Sequence, residues 1–150
     1  RTLSLYDGWA LSTSADALQK ILPLCPPDIR VLAWVKHSVN VSWEPVIVKS
    51  ARPISTSGPR DWIHVEPEAF QWRPKPDSYV IGQKPVPFCE WMFEWLGADA
   101  GKDTLDDLFP GSGAVAAAWD SWTIRPGFPS ERRIRRERKQ MLAEHPQLTD

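Results

Sequence analysis

Asp106-Asp107-Leu108-Phe109-Pro110-Gly111-Ser112-Gly113-Ala114-Val115 is the stretch on which the reading of this chain turns. A short run ending in an acidic residue, a tight glycine turn and the alanine-rich opening of a helix is how an α/β protein holds a nucleotide-like cofactor. The first glycine permits a tight turn. The second lets the helix backbone come close, where its free N–H groups and an upstream carboxylate meet polar ligand atoms. The lysine and hydroxyl residue that serve phosphates and magnesium do not follow Gly111-Ser112-Gly113, which argues against a phosphate loop. Taken alone, the turn equally suits a plain strand-to-helix corner, so its surroundings decide.

Residues 104–108 are expected as a short strand and 112–122 as the helix after the turn. Upstream, Phe88, Trp91, Met92, Trp95 and Leu96 fall at helical spacing, with Pro85 in the first turn and Gly97 at the end. Trp91 and Trp95 share the apolar face and read as core. Residues 29–35 are nearly continuous in apolar side chains, as in a central strand covered on both faces. Residues 45–48, preceded by Trp43-Glu44, read as another strand, and residues 9–11 as a third. A helix then follows, capped by Thr13 or Ser14, with Asp16 in its first turn. Leu18, Ile21 and Leu22 form its apolar stripe, and Pro23 and Pro26-Pro27 close it. Prolines break residues 51–79 repeatedly, leaving a short strand around 61–65. This alternation predicts an α/β fold with a mostly parallel sheet and helices on both faces.

At 150 residues the chain forms one domain, and a net charge of -1 provides no global attraction to nucleic acid or membrane. Cys25 and Cys89 suggest neither a disulfide framework nor a zinc site, and Cys89, inside an apolar helical pattern, reads as a buried free thiol. No apolar run is long enough for a bilayer and no signal peptide is visible, so the expected location is cytoplasmic. The chain opens on Arg1 rather than methionine, as a processed chain or a fragment would.

The order Gln83-Lys84-Pro85, an amphipathic helix, residues 103–108, then Phe109-Pro110-Gly111-Ser112-Gly113 resembles the C-terminal half of S-adenosylmethionine-dependent DNA amino-methyltransferases with permuted motif order. These enzymes modify adenine N6 or cytosine N4. The match is tightest over residues 82–119, and a looser similarity of the upstream strands extends it back to residue 9. The resemblance implies a Rossmann-like three-layer sandwich, truncated or incomplete here, over residues 1–125, with residues 126–150 a basic extension. It makes Asp107 the acidic residue of the cofactor motif. Phe109, Gly111 and Gly113 become its other landmarks, with Pro110 and Ser112 between them. Lys84 and Pro85 would border the methionine end of S-adenosylmethionine. The cofactor's ammonium and sulfonium suit a carboxylate, while its own carboxylate suits backbone N–H groups or a basic side chain. No metal is implied.

The expected reaction is methyl transfer to a DNA base amino group, adenine N6 slightly favoured by family frequency, on double-stranded DNA. Such enzymes carry an Asp/Asn/Ser-Pro-Pro-aromatic loop that holds the target amino group and stacks on the extruded base. The 150 residues contain no such tetrapeptide. Cys25-Pro26-Pro27-Asp28 follows a helix and does not take that place, so the catalytic residues stay unassigned. The chain is therefore expected to be an enzyme if an N-terminal piece outside the sequence supplies the loop. The alternative is a catalytically inactive, methyltransferase-like module that binds nucleic acid or protein. A ribose-binding acid is likewise unassigned, because Asp120 falls within the helix after the turn. In the basic extension, Arg132, Arg135, Arg136 and Lys139 share one face at helical spacing, a face for DNA phosphates.

Overall fold

The computed structural model describes residues 2–36, 43–54, 58–65, 83–99 and 101–124. Among these residues, four strands form one sheet: β1 (Trp9–Ser12), β2 (Arg30–Val35), β3 (Trp43–Lys49) and β4 (Trp62–His64). They lie in the order β1-β3-β2-β4. Among the described residues, three α-helices accompany them: α1 (Ala15–Ile21), α2 (Val86–Leu96) and α3 (Ala114–Ile124).

The architecture is mixed α/β, but the expectation of a mostly parallel sheet is corrected. β3 runs antiparallel to both β1 and β2, and only β2 and β4 are parallel. The chain itself explains this. Seven residues (36–42) join β2 to β3, too few for a parallel crossover, which needs a dozen or more.

The strand expected at 104–108 is also corrected. Among the described residues that segment pairs with no strand. Instead, Asp103 and Asp107 turn their carboxylates onto local groups: Asp103 accepts from the Asp99 amide at 2.6 Å, and Asp107 Oδ1 from the Phe109 amide at 3.2 Å.

Alternation within the strands sets the core. Leu32 and Trp34 of β2 and Val46 and Val48 of β3 lie on one sheet face and pack with α2. The expected cover on both faces of β2 is not found among the described residues: Val31, on the opposite face, is 39% exposed. Pro45 sits in an interior strand without disrupting it. Its carbonyl accepts from the Thr13 amide, so the side lacking a donor faces β1 just beyond the last β1 pair, and no bond towards β2 is lost.

α1 is capped by the Ser14 hydroxyl, which accepts from the Ala17 amide, and Asp16 stands in its first turn. α2 is buried more broadly than an amphipathic surface helix, with Phe88, Cys89, Trp91, Met92, Phe93 and Trp95 all inside. It is the middle layer. Phe88 meets Trp34 of the sheet at 4.4 Å between ring centroids, while Phe93 meets Trp119 and Trp122 of α3 edge-on at 5.2 and 5.7 Å. Each fully buried side chain of this kind contributes about 1.5–3 kcal/mol.

The Trp91 and Trp95 indoles both donate to the Arg60 carbonyl, at 2.8 and 2.9 Å, which ties the chain before β4 to α2. Pro85 precedes the helix as its N-cap rather than lying in its first turn, and Gly97 ends it at φ 66°.

Candidate functional site

β1 with the segment before it, α2 and most of residues 102–115 line a cavity of about 900 Å³, within the roughly 300–1,000 Å³ usual for small-molecule sites. Of the residues singled out from the sequence, Lys84, Asp107, Phe109, Pro110, Gly111 and Ser112 line it. Pro85 and Gly113 do not line it. Pro85 is buried, and Gly113 shapes the turn into α3.

That turn is built as its composition demands. Gly111 and Gly113 have φ values of 49° and 73°, where an L side chain is strained, and the Gly113 amide donates to the Pro110 carbonyl at 2.6 Å. The Ser112 hydroxyl accepts from the Ala114 amide at 3.4 Å, and the Ala117 amide returns to the Gly113 carbonyl. α3 starts at Ala114, two residues later than expected, because the two glycine conformations keep 111–113 out of the helix. Phe109 stands 80% exposed at the rim.

Asp107 carries the most telling atom. Its Oδ1 caps the Phe109 amide, but Oδ2 is buried and has no hydrogen-bond partner. A buried acceptor left unpaired costs about 1–3 kcal/mol. This one sits on the wall of a cavity, where a ligand's donor would satisfy it.

At the β1 side, Lys84 is only 27% exposed and is held rather than solvated. Its Nζ donates to Ser12 Oγ at 3.2 Å and to Glu44 Oε2 at 3.4 Å, and lies 4.6 Å from the centre of the Trp34 ring. Lys36 also binds Glu44 and sits 4.0 Å over the same ring. Burial lowers the pKa of Lys84, an effect the Glu44 carboxylate opposes. Burial works to raise that of Glu44, but the hydrogen bond from Lys36 and the charge of Lys84 outweigh it and leave the carboxyl below its ordinary value. Cys89 is a buried free thiol whose pKa burial pushes up to about 11, the state of an unreactive side chain.

Two further features of the wall were not legible in the sequence. Arg52, after β3, grips Asp103 with both nitrogens, at 2.6 and 2.5 Å, and also donates to the Gly97 carbonyl. Asp103 is thereby held down to about 2. Asp106, beside Tyr6, raises the phenol's pKa. The partners in each pair are far apart in the chain, so no local pattern announces them. Lys84 lines the cavity beside β1 and Asp106 and Asp107 line it before the glycine turn, with Asp7, Arg52, Lys102 and Asp103 also on its wall.

Arg132, Arg135, Arg136 and Lys139 lie outside the described residues, as does the whole of 126–150. Among the described residues, no group of three His, Cys, Asp or Glu side chains is placed to hold a metal ion, and no helix is long and apolar enough to cross a membrane. The chain matches no protein-family model, no curated protein and no solved structure.

Proposed function

We propose that this chain binds S-adenosylmethionine and serves methyl transfer to the amino group of a DNA base, adenine N6 ahead of cytosine N4. The observation that carries the cofactor half is one of convergence. Lys84 and the 107–112 loop, separated in the chain by α2, line a single cavity, and the loop leaves a buried Asp107 oxygen without a partner. The nature of the acceptor rests on the sequence resemblance alone.

The cofactor supplies an electrophilic methyl group on a sulfonium. What the chain contributes is binding and orientation. Lys84 offers a cation to the methionine carboxylate. Asp107 accepts from a cationic or hydroxyl donor. The first-turn amides of α3 that lack a partner would add donors for a polar part of the ligand. Phe109, exposed at the rim, offers an aromatic surface to a planar group. Aligning the methyl group with an amino nitrogen and excluding water would supply much of the rate.

Calorimetric titration with S-adenosylhomocysteine tests the cofactor half, and the absence of binding at millimolar ligand would overturn it. Tritiated methyl transfer into duplex DNA tests the acceptor. A chain that binds cofactor but transfers nothing favours the inactive binding module instead. Replacing Arg132, Arg135, Arg136 and Lys139 with glutamine should weaken DNA binding and flatten its salt dependence while leaving cofactor affinity unchanged.

A further inference from the structure

The Lys36–Glu44–Lys84 arrangement over Trp34 does more than neutralise charge. Two ammonium groups share one carboxylate, so the cluster retains one net positive charge. Only Lys84 and Ser12 of this group reach the cavity. Lys36, with 10% of its side chain exposed, stands behind them at the end of β2. Glu44 therefore lies between a cation facing the cavity and a cation behind it. Its Oε1 is taken by Lys36, while Oε2 is shared by Ser12 at 3.4 Å and Lys84 at 3.4 Å. A flexible lysine aimed by three fixed groups loses less freedom on gripping a ligand than a solvated one.

We infer that Glu44, held by Lys36, is a positioning residue that fixes the Lys84 ammonium at the cavity wall, and that this makes the β1 end of the cavity the subsite for a ligand's carboxylate. The inference deepens the cofactor reading above and rests on it for the identity of the ligand. The position of Lys84 itself does not. The carboxylate class follows from the geometry: one net charge on one presented ammonium suits a monoanion, while the Ser12 hydroxyl, which gives its hydrogen to Glu44 and accepts from Lys84, helps to hold that ammonium in place. A phosphate would call for more donors than this one ammonium.

The groups that face Lys84 from each neighbouring element are Ser12 of β1, Lys36 after β2, Glu44 of β3 and Cys89 of α2. Glu44 raises the Lys84 pKa, whereas Lys36 lowers it. Their removal should move Lys84 in opposite directions, which general loosening of the fold would not do.

The experiment has two arms on the full chain. In the first, Lys84 is followed by NMR titration of isotope-labelled lysine side chains in the native protein, Glu44→Gln and Lys36→Gln. Glu44→Gln should shift Lys84 down and Lys36→Gln should shift it up. Equal shifts, or none, overturn the positioning role whether or not any cofactor binds.

In the second arm, S-adenosylhomocysteine is compared with methylthioadenosine, which lacks the amino-acid carboxylate. The native chain should prefer the former. Glu44→Gln should weaken that binding roughly tenfold while leaving methylthioadenosine unchanged. Equal affinity of the native chain for both ligands refutes the carboxylate subsite. Binding of neither refutes the cofactor reading and leaves the first arm to decide the role of Glu44.

Discussion

Replacing Asp107 with alanine should separate stability from binding. In the ligand-free protein Oδ2 is buried without a partner, so its removal relieves about 1–3 kcal/mol of unsatisfied polar burial. The same substitution deletes the Oδ1 bond to the Phe109 amide, which at 3.2 Å and in an exposed setting is worth about 0.5–1.5 kcal/mol. The difference leaves Asp107→Ala between about 0.5 kcal/mol less stable and about 2.5 kcal/mol more stable than the native chain. Binding should move the other way. Loss of a charge-assisted acceptor costs about 1.5–3 kcal/mol, or roughly 10–100-fold in the dissociation constant of S-adenosylhomocysteine. Urea denaturation and calorimetric titration on the same two proteins read both quantities. A side chain that served only the strand-to-helix corner would behave differently, so a stability loss above about 2 kcal/mol with unchanged affinity would refute the argument. Stability gained where function is lost is the signature of a group kept for its ligand.

Gly8→Ala should destabilise the wall at the start of β1, since the new Cβ would lie 2.6 Å from the Ala51 backbone nitrogen. Such overpacking costs about 1–3 kcal/mol and about 2–4 °C of melting temperature per kcal/mol, so an unchanged thermal transition would contradict the packing of Gly8 against Ala51. The Arg52–Asp103 clasp should show in the pH dependence. Because the Asp103 carboxyl is held at about 2 against an ordinary 3.8, its contribution is complete above about 4 and is lost as pH falls through about 2. The loss is small, since Arg52 is substantially exposed. Asp103→Asn should flatten the stability profile of the native chain across that window, and parallel profiles for the two proteins would show that the clasp adds nothing.

The elements that a reader of the sequence can place are those whose causes are local. Ser14 and Asp16 announce the start of α1, Gly97 the end of α2, and Gly111 and Gly113 the turn before α3, because caps and left-handed glycines act within a few residues. The burial of Trp91 and Trp95 follows from their spacing in the same way. Residues 104–108 show the limit. Their composition suits a strand, yet a strand exists only beside a partner, and none lies there among the described residues. The orientation of β3 is another case, since a list of strands does not state which edges meet.

For the candidate site, the sequence by itself determined the tight turn of Gly111 and Gly113, the acidic residue before it and the start of α2 after Lys84-Pro85. Each is a matter of backbone conformation over a handful of residues. Only the tertiary structure decided that Lys84 and the Asp107 loop meet at one cavity, that Glu44 and Lys36 stand behind Lys84, and that Arg52 pins Asp103. Those contacts join residues from different strands, loops and helices. They form because burying the apolar faces of the sheet, α2 and α3 against one another carries their polar neighbours along, and nothing in the local sequence of either partner encodes the meeting.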